Sequence, residues 1–120
     1  MLQSILRIIV FPEKRKASLE LMDSLIGPMN IIPGCIHYRM YQDLENENRL
    51  VIEQKWESEA ILHRFIRSNI YLKILELIEL SSQPPEILFN TISNIGGIEV
   101  VEALRCEKPF SAIRQGQGPI

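Results

Sequence analysis

The aromatic and polar residues around the single tryptophan are the best candidates for chemistry in this sequence. Trp56 ends the run LVIEQKW, residues 50 to 56, and Gln54 lies two positions earlier, on the same side of an extended strand. An indole and a carboxamide on one face could stack on an aromatic ligand and hydrogen-bond to its oxygen atoms. The same indole could instead simply fill a hydrophobic core, so both roles stay open for Trp56.

Three further residues complete the predicted pocket. Tyr38 lies on the inner side of the preceding strand, Phe65 on the inner stripe of the following helix, and Tyr71 at the start of the next helical segment. We therefore expect the pocket to be lined by Trp56, Tyr38, Gln54, Phe65 and Tyr71. A buried phenol and amide both need partners, which either a ligand oxygen or a mutual hydrogen bond between Tyr38 and Gln54 would supply.

The sequence contains no standard metal or cofactor motif. Cys35 and His37 have the spacing of two ligands on one strand, but a zinc site needs three or four ligands and no nearby pair completes it. A glycine-rich phosphate loop, a GxSxG turn and an HExxH helix are all missing. His63 is expected on a solvated helix surface. The sequence therefore predicts no metal, no cofactor and no obvious catalytic base.

Composition restricts the class of protein. The chain has 120 residues, 46% of them hydrophobic and 23% charged, which suits a single globular domain. A net charge of −2 argues against nucleic acid and anionic membranes as partners. No apolar run is long enough to span a bilayer, and the apolar opening reads as a strand and not as a signal peptide. Two distant cysteines without a CxxC favour a reduced cytoplasmic protein.

Hydrophobic periodicity predicts the element order β-α-β-β-α-β. The alternating or continuous apolar runs that predict strands are residues 2–11, 35–42, 49–56 and 87–93, and the helical stripes are residues 12–29 and 58–80, the second with a kink at Ser68-Asn69. Short right-handed connections then give a ferredoxin-like α+β fold, an antiparallel sheet with both helices on one face. We place this domain at residues 1–105, with residues 98–105 forming either a helix or an edge strand, and a tail at residues 106–120.

Strand alternation assigns the two faces of the sheet. The predicted hairpin register pairs Ile36 with Trp56, Tyr38 with Gln54, Arg39 with Glu53 and Met40 with Ile52. Trp56 then lies under the helices, whose first member presents the stripe Ala17, Leu21, Leu25 and Met29, widened by Met22 and Ile26.

The opposite face of the sheet mixes charge with apolar side chains. It carries Cys35, His37, Arg39, Tyr41 and Glu53 together with Ile5, Ile9, Phe11 and Val51. Leaving such apolar surface in water costs about 25 cal/mol per Å². We therefore predict a homodimer whose sheets pack face to face, with His37, Arg39, Tyr41 and Glu53 in the interface.

Two segments of this sequence resemble a known family. PGCIHYRMYQD, residues 33–43, and LVIEQKWESEAILHRFIRSNIY, residues 50–71, are similar to the antibiotic biosynthesis monooxygenase domain of the dimeric α+β barrel proteins. The resemblance extends over residues 2–93. It implies a small homodimer with a ligand pocket between sheet and helices, at a tryptophan position matched by Trp56. It also implies oxidation of quinols, polyketide aromatics or haem without a metal or flavin of the protein's own.

The chain departs from the family pattern at two positions. Many members carry a histidine nine residues after the tryptophan, where this chain has Phe65, and a second one in a Ser-Pro-His-Phe segment, where it has Ser68-Asn69-Ile70-Tyr71. Abstracting a phenol proton requires a base within hydrogen-bond reach. Two hypotheses follow. The first is a cofactor-independent monooxygenase acting on a small quinol-like aromatic. The alternative is a non-catalytic dimeric module that binds a small ligand or supports assembly.

Overall fold

The computed structural model describes residues 1–105 and shows a four-stranded antiparallel sheet in the order β2-β3-β1-β4. The elements are β1 (Leu2–Ile9), a 3-10 turn (Pro12–Lys14), α1 (Arg15–Ser24), α2 (Ile26–Asn30), β2 (Cys35–Gln42), β3 (Arg49–Trp56), α3 (Glu59–Ile66), α4 (Tyr71–Glu79), β4 (Glu86–Thr91) and α5 (Ile98–Arg105). This confirms the predicted ferredoxin-like α+β architecture. The segment 98–105 is a helix, and the predicted tail lies outside the described residues.

The first helical region is interrupted and not continuous as predicted. Pro28 lacks an amide hydrogen, and its ring clashes with the carbonyl of the residue four positions earlier, which is Ser24, the last residue of α1. The helix therefore breaks at Leu25 and resumes as α2. Leu25 and Met29 on either side of the break are still both buried.

The buried stripe of this region differs from the predicted one at two positions. Ala17 is exposed, and Ser18 is buried in its place because its hydroxyl donates to the Lys14 carbonyl oxygen at 2.8 Å. A small side chain with a local acceptor needs no other partner in the core. Ile26 is 41% exposed, since the break at Leu25 changes the phase of the helix.

The second helical region follows the prediction. The Ser58 hydroxyl caps α3 by accepting from the Ile61 amide at 3.3 Å. The Ser68 hydroxyl donates to the Phe65 carbonyl oxygen at 2.6 Å, where the chain turns before α4 begins at Tyr71. The pair α3 and α4 is therefore a kinked unit whose two apolar faces both meet the sheet.

The core lies between the sheet and the helices. Alternate residues of β1 and β3 are buried, and Trp56 is fully buried, as predicted. The buried apolar residues are Leu6, Ile8, Val10, Met22, Leu25, Met29, Leu50, Ile52, Trp56, Leu62, Phe65, Ile74 and Leu77. Fully burying one side chain of this size contributes about 1.5–3 kcal/mol, so this layer dominates the stability of the fold.

The register between β2 and β3 is as predicted except at one end. Tyr38 pairs with Gln54, Arg39 with Glu53 and Met40 with Ile52. The expected pairing of Ile36 with Trp56 is wrong, because a β-bulge between Cys35 and His37 places Cys35 opposite Trp56. A bulge adds one residue to a strand and so reverses the alternation beyond it.

The bulge changes the surroundings of two side chains. Ile36 is 50% exposed, although alternation predicts it on the inner face. Cys35 packs against the core, although alternation predicts it on the outer face beside His37. Cys35 is therefore not part of the predicted dimer face.

The outer face carries the other residues of that predicted dimer face. His37 and Glu53 are half-buried, and Arg39 and Tyr41 are exposed. Arg39 forms no salt bridge with any of residues 1–105, and the Glu53 carboxylate accepts from Gln3 Nε2 at 3.2 Å. Arg39 and Glu53 are thus opposite each other in the strand register but do not form a salt bridge.

Gly34 is the position where the turn before β2 tolerates only glycine. Its φ of +83° lies in the left-handed region, and an added Cβ would collide with the Ile61 side chain. We expect Gly34→Ala to lower the free energy of unfolding by at least about 1–2 kcal/mol. Gly27→Ala is the matched control, because nothing lies within 4 Å of its Cβ position. It should be neutral or stabilising by up to about 1 kcal/mol in urea denaturation. Equal effects of the two substitutions would contradict this account.

Candidate functional site

A buried hydrogen-bonded chain connects β1, β3 and α2. The Trp56 indole donates from Nε1 to Ser4 Oγ at 3.1 Å, and Ser4 Oγ donates to Gln54 Oε1 at 3.0 Å. Gln54 Nε2 contacts Met29 Sδ at 3.7 Å. Ser4 was not predicted from the sequence, although a serine on the buried side of β1 is the signal that could have identified it. The register of β1 against β3, which pairs Ser4 with Gln54, then brings the two together.

Three aromatic side chains meet beside this chain. The rings of Trp56 and Phe65 are 4.8 Å apart between centroids and tilted by 33°, and Phe65 meets Tyr71 edge to face at 5.5 Å and 90°. Such pairs contribute about 0.5–1.5 kcal/mol each beyond their burial. Phe65 therefore links the tryptophan of β3 to the first residue of α4.

A small chamber lies between the sheet and α3–α4. Its volume is about 20 Å³ and its walls are mostly apolar. The lining residues are Ser4, Ile5, Leu6, Ile52, Gln54, Leu62, Phe65, Ile66, Tyr71, Ile74, Ile87 and Phe89. Three of the five predicted pocket residues are here, namely Gln54, Phe65 and Tyr71, whereas Trp56 and Tyr38 do not line it. The chamber is far smaller than the 300 Å³ or so that a ligand pocket usually offers.

The Tyr38 hydroxyl is buried and has no hydrogen-bond partner within residues 1–105. The mutual hydrogen bond with Gln54 does not form, because the Gln54 amide is directed to Ser4 and Met29. Burial, and to a lesser degree the nearby Cys35 thiolate charge, raises the Tyr38 pKa well above its ordinary value of 10.0. Burial likewise raises the pKa of Tyr71. Both phenols are therefore hydrogen-bond donors at neutral pH and not bases.

No carboxylate or imidazole lines the chamber among the described residues. His63 faces outward on α3 and lies 3.4 Å from the Glu59 carboxylate, and His37 lies on the outer face of the sheet. Within residues 1–105, no group of three or more His, Cys, Asp or Glu side chains could hold a metal ion. None of the described helices has the length and apolar character of a membrane span.

Two surface clefts adjoin the chamber. The wide cleft has a volume of about 360 Å³, and its lining residues are Leu2, Glu59, Leu62, His63, Ile66, Phe89, Asn90 and Thr91. The narrow cleft has a volume of about 150 Å³, and its lining residues are Ile32, Pro33, Ile61, Arg64, Phe65, Ser68 and Ile70. The wide cleft shares Leu62, Ile66 and Phe89 with the chamber and the narrow cleft shares Phe65, so both clefts adjoin it.

The outer face of the sheet carries a groove of about 430 Å³ that is more polar. Its arginines are both paired, Arg7 with Glu86 at 2.9 Å and Arg49 with Asp43 at 3.1 Å. The Asp43 carboxylate accepts a hydrogen bond from the Glu45 backbone amide, which is the largest cause that lowers its pKa. A hydrogen bond from the Arg49 guanidinium is the next largest. The four charged residues that line the groove are therefore paired with one another, and the groove offers a ligand no unpaired charge from residues 1–105.

Comparison with known proteins identifies the fold family. The family model described as antibiotic biosynthesis monooxygenase matches residues 1–77, well over half of the chain. The chain belongs to the antibiotic biosynthesis monooxygenase family. A structure from this family superimposes with a TM-score of 0.72 at 18% identity and covers 78% of this chain and 100% of its own. The resemblance of residues 33–43 and 50–71 to the family is thus confirmed.

Three further proteins are similar to this antibiotic biosynthesis monooxygenase family member. A conserved protein from Methanosarcina mazei Go1 is 32% identical, with a TM-score of 0.69, and covers 74% of this chain and 89% of its own. Rv0793 from Mycobacterium tuberculosis is 24% identical, with a TM-score of 0.72, and covers 80% and 98%. An uncharacterised protein from Synechocystis is 28% identical over 79 residues, which are 65% of this chain. The matched region spans only 54% of that relative.

The unpaired Tyr38 hydroxyl leads to a prediction about stability. Tyr38→Phe removes a buried polar group that has no partner, so we expect the free energy of unfolding to rise by about 1 kcal/mol. Tyr71→Phe is the control, because Tyr71 is only half-buried, and it should change stability by less than about 0.5 kcal/mol. Urea denaturation at neutral pH measures both. A clear loss of stability in Tyr38→Phe would mean that the hydroxyl has a partner after all.

The same residue predicts a pH dependence. Because the Tyr38 pKa is raised in the folded state, the unfolded chain releases this proton first as the pH rises. The unfolded state then binds fewer protons than the folded state, so stability falls above about pH 10. Tyr38→Phe should lose less stability between neutral and alkaline pH than the parent. Parallel stability curves for the two proteins would contradict the raised pKa.

Proposed function

We propose that this chain is a cofactor-independent monooxygenase that oxidises a small quinol-like aromatic beneath its helical layer. The observation that carries the proposal is the aromatic cluster of Trp56, Phe65 and Tyr71 beside a mostly apolar chamber with two hydrogen-bonding residues, Ser4 and Gln54. Family membership supports an oxidoreductase of monooxygenase type. The substrate class is our own inference from the aromatic walls.

Such a reaction needs no outside reductant. A hydroquinone and O₂ balance to a hydroxyquinone and water, because the substrate supplies all four electrons that O₂ takes up and loses two hydrogens while gaining one oxygen. The protein's part is to hold the ring and to exclude water. The ring of Tyr71 and, once Phe65 moves aside, the ring of Trp56 would stack on the substrate, and the Gln54 amide would hydrogen-bond to its oxygens. Electrostatic stabilisation of the developing phenolate by such donors is strongest where water is excluded.

The first test is oxygen uptake with a panel of hydroquinones. We expect one O₂ consumed per substrate, and Gln54→Leu should lower the rate at least about tenfold because it removes a donor to the developing charge. Lys55→Gln, one residue along β3 on the opposite face, is the matched control and should leave the rate unchanged. Equal rates in all three proteins would contradict a role for Gln54, and no uptake with any hydroquinone would contradict the proposed reaction.

The rate should also depend on pH through the substrate and not through a residue. Because no described carboxylate or imidazole lines the chamber, the phenol must lose its proton without a protein base. The rate should therefore keep rising toward the pKa of the free hydroquinone, with no plateau near the histidine pKa of about 6.5. A bell-shaped profile centred near neutral pH would instead reveal a protein base.

The second candidate is a non-catalytic module that binds a small apolar ligand. The specific observation in its favour is that no carboxylate or imidazole of residues 1–105 lines the chamber, together with its small volume of about 20 Å³. The two candidates differ in one measurement. Quenching of the single tryptophan by aromatic probes without any oxygen uptake would favour the binding module, whereas uptake with quenching would favour the enzyme.

We infer that the working form is a homodimer whose outer sheet faces pack together. The outer faces carry Tyr41, 46% exposed, and the half-buried Val51, and no described helix packs on this side. Family membership supports a dimer, since proteins of this fold are generally dimeric. The low cysteine content, two residues far apart in the sequence with no CxxC, supports a reducing, cytoplasmic setting. A net charge of −2 supports neither a nucleic acid nor a membrane as partner.

The dimer can be tested by placing a positive charge on the outer face of the sheet and, in a control, on the helical layer. Val51→Lys puts an ammonium group into the proposed interface and should shift the protein toward monomer in sedimentation at two concentrations, because a buried unpaired charge is strongly unfavourable. Leu72→Lys, on the exposed side of α4, is the control and should keep the parent's association state. A parent that sediments as a monomer at both concentrations would overturn the proposed dimer.

A further inference from the structure

The narrow cleft combines an apolar floor with one uncompensated cation. Its walls are the side chains of Ile32, Pro33, Ile61 and Ile70, and its charged group is Arg64. Arg64 is exposed and forms no salt bridge with any of residues 1–105. The residues one helical turn away are Ala60, Ile61, Arg67 and Ser68, none of them acidic. The cleft therefore suits a flat apolar group that carries a negative charge at one end.

The narrow cleft and the chamber adjoin at a single residue. Phe65 is the one residue that lines both the narrow cleft and the chamber. Its ring is only 3% exposed and contacts both Trp56 and Tyr71. An aromatic ligand that displaced this ring could make the same stacking contacts, so the displacement would lose little aromatic contact energy.

Resting on the ligand pocket of the proposed function, we propose that the narrow cleft is its entrance and that it selects aromatic compounds bearing one anionic group, such as a ring carboxylate. The Arg64 guanidinium holds the anionic group at the mouth through charge-assisted hydrogen bonds. The ring of the ligand then takes the place of Phe65 against Trp56 and Tyr71. The volume of the cleft, about 150 Å³, matches a single six-membered ring.

The wide cleft is the competing entrance and fits this ligand less well. Its two titratable groups, Glu59 and His63, are paired with each other at 3.4 Å, so it offers no unpaired cation. It adjoins the chamber at three side chains, Leu62, Ile66 and Phe89, so no single aromatic ring lies between the two spaces. A carboxylate approaching the wide cleft would also meet the negative charge of Glu59.

The charge selectivity is tested with three probes that share one ring. Benzoate, benzamide and benzylamine are titrated against the full chain, with Trp56 fluorescence and calorimetry as readouts. We expect benzoate to bind most tightly and benzylamine least. Arg64→Gln should weaken benzoate by about two- to fivefold, the range for an exposed charge pair, and leave benzamide unchanged. Arg67→Gln is the matched control, since Arg67 lies on the same turn but does not line the cleft.

The route is tested by opening each entrance in turn. Phe65→Leu should speed the association of benzoate and benzamide alike in stopped-flow fluorescence, because a smaller side chain blocks the passage less. Leu62→Ala, which opens the wide cleft, should leave these association rates close to those of the parent. Faster association in Leu62→Ala alone would overturn the proposed entrance. If Phe65→Leu does not fold by circular dichroism, the conservative Phe65→Met serves the same comparison.

Failure of this inference can be distinguished from failure of the proposed oxidation. Arg64-dependent binding of benzoate without oxygen uptake by any hydroquinone would support the entrance and contradict the reaction. Oxidation of neutral hydroquinones, with benzoate binding that Arg64→Gln does not change, would support the reaction and overturn the entrance. Identical affinities for all three probes in the parent would also overturn it.

Discussion

The burial of Trp56 is the constraint on which the rest of this structure depends. The largest side chain of the protein lies at the end of β3 with no exposed surface, and its one polar atom is satisfied by Ser4 on the neighbouring strand. Because an unpaired indole N–H in the core would be costly, the side chain and the register of β1 against β3 support each other. The ring also stacks on Phe65, which orients α3 over the sheet. One residue thus supports the strand register, the position of α3 and the placement of Phe65, which lines the chamber.

Much of the fold could be predicted because burial and backbone geometry agree in β3, α3 and α4. Strict alternation from Leu50 to Trp56 leaves one choice for the inner face, and the capping serine at position 58 marks where the helix begins. The inward direction of Trp56 and Gln54 follows directly. The family relationship independently supports the same fold, since the family model matches residues 1–77 and so includes the segments 33–43 and 50–71. Local pattern was sufficient here because each side chain has only two faces to choose from.

The wrong and missing assignments arise where neighbours in space decide the position of a residue. Nothing in CIHY states that one residue will be extruded as a bulge, so Cys35 and Ile36 were assigned to the wrong faces. In α1, Ser18 is buried in place of Ala17, because its hydroxyl hydrogen-bonds to a backbone carbonyl one turn earlier. Ser4 belongs to the polar chain only through a partner fifty residues away, which no window on the sequence contains. The closure of the chamber likewise depends on how Phe65 packs against two distant elements. Such details depend on three-dimensional neighbours and not on local preference.

The position of β4 in the sheet has a consequence for how the chain acquires its structure. β1 is an interior strand, but one of its two neighbours is the last strand described, so that Leu2 pairs with Thr91. The backbone groups of β1 must therefore wait for β4, far along the chain, before all of them are hydrogen-bonded. Contacts this distant along the chain slow folding, because a long loop must close before they form. The hairpin of β2 and β3 joins neighbouring segments of the chain, so we expect it to form early. The pairing of β1 with β4 is expected to form late.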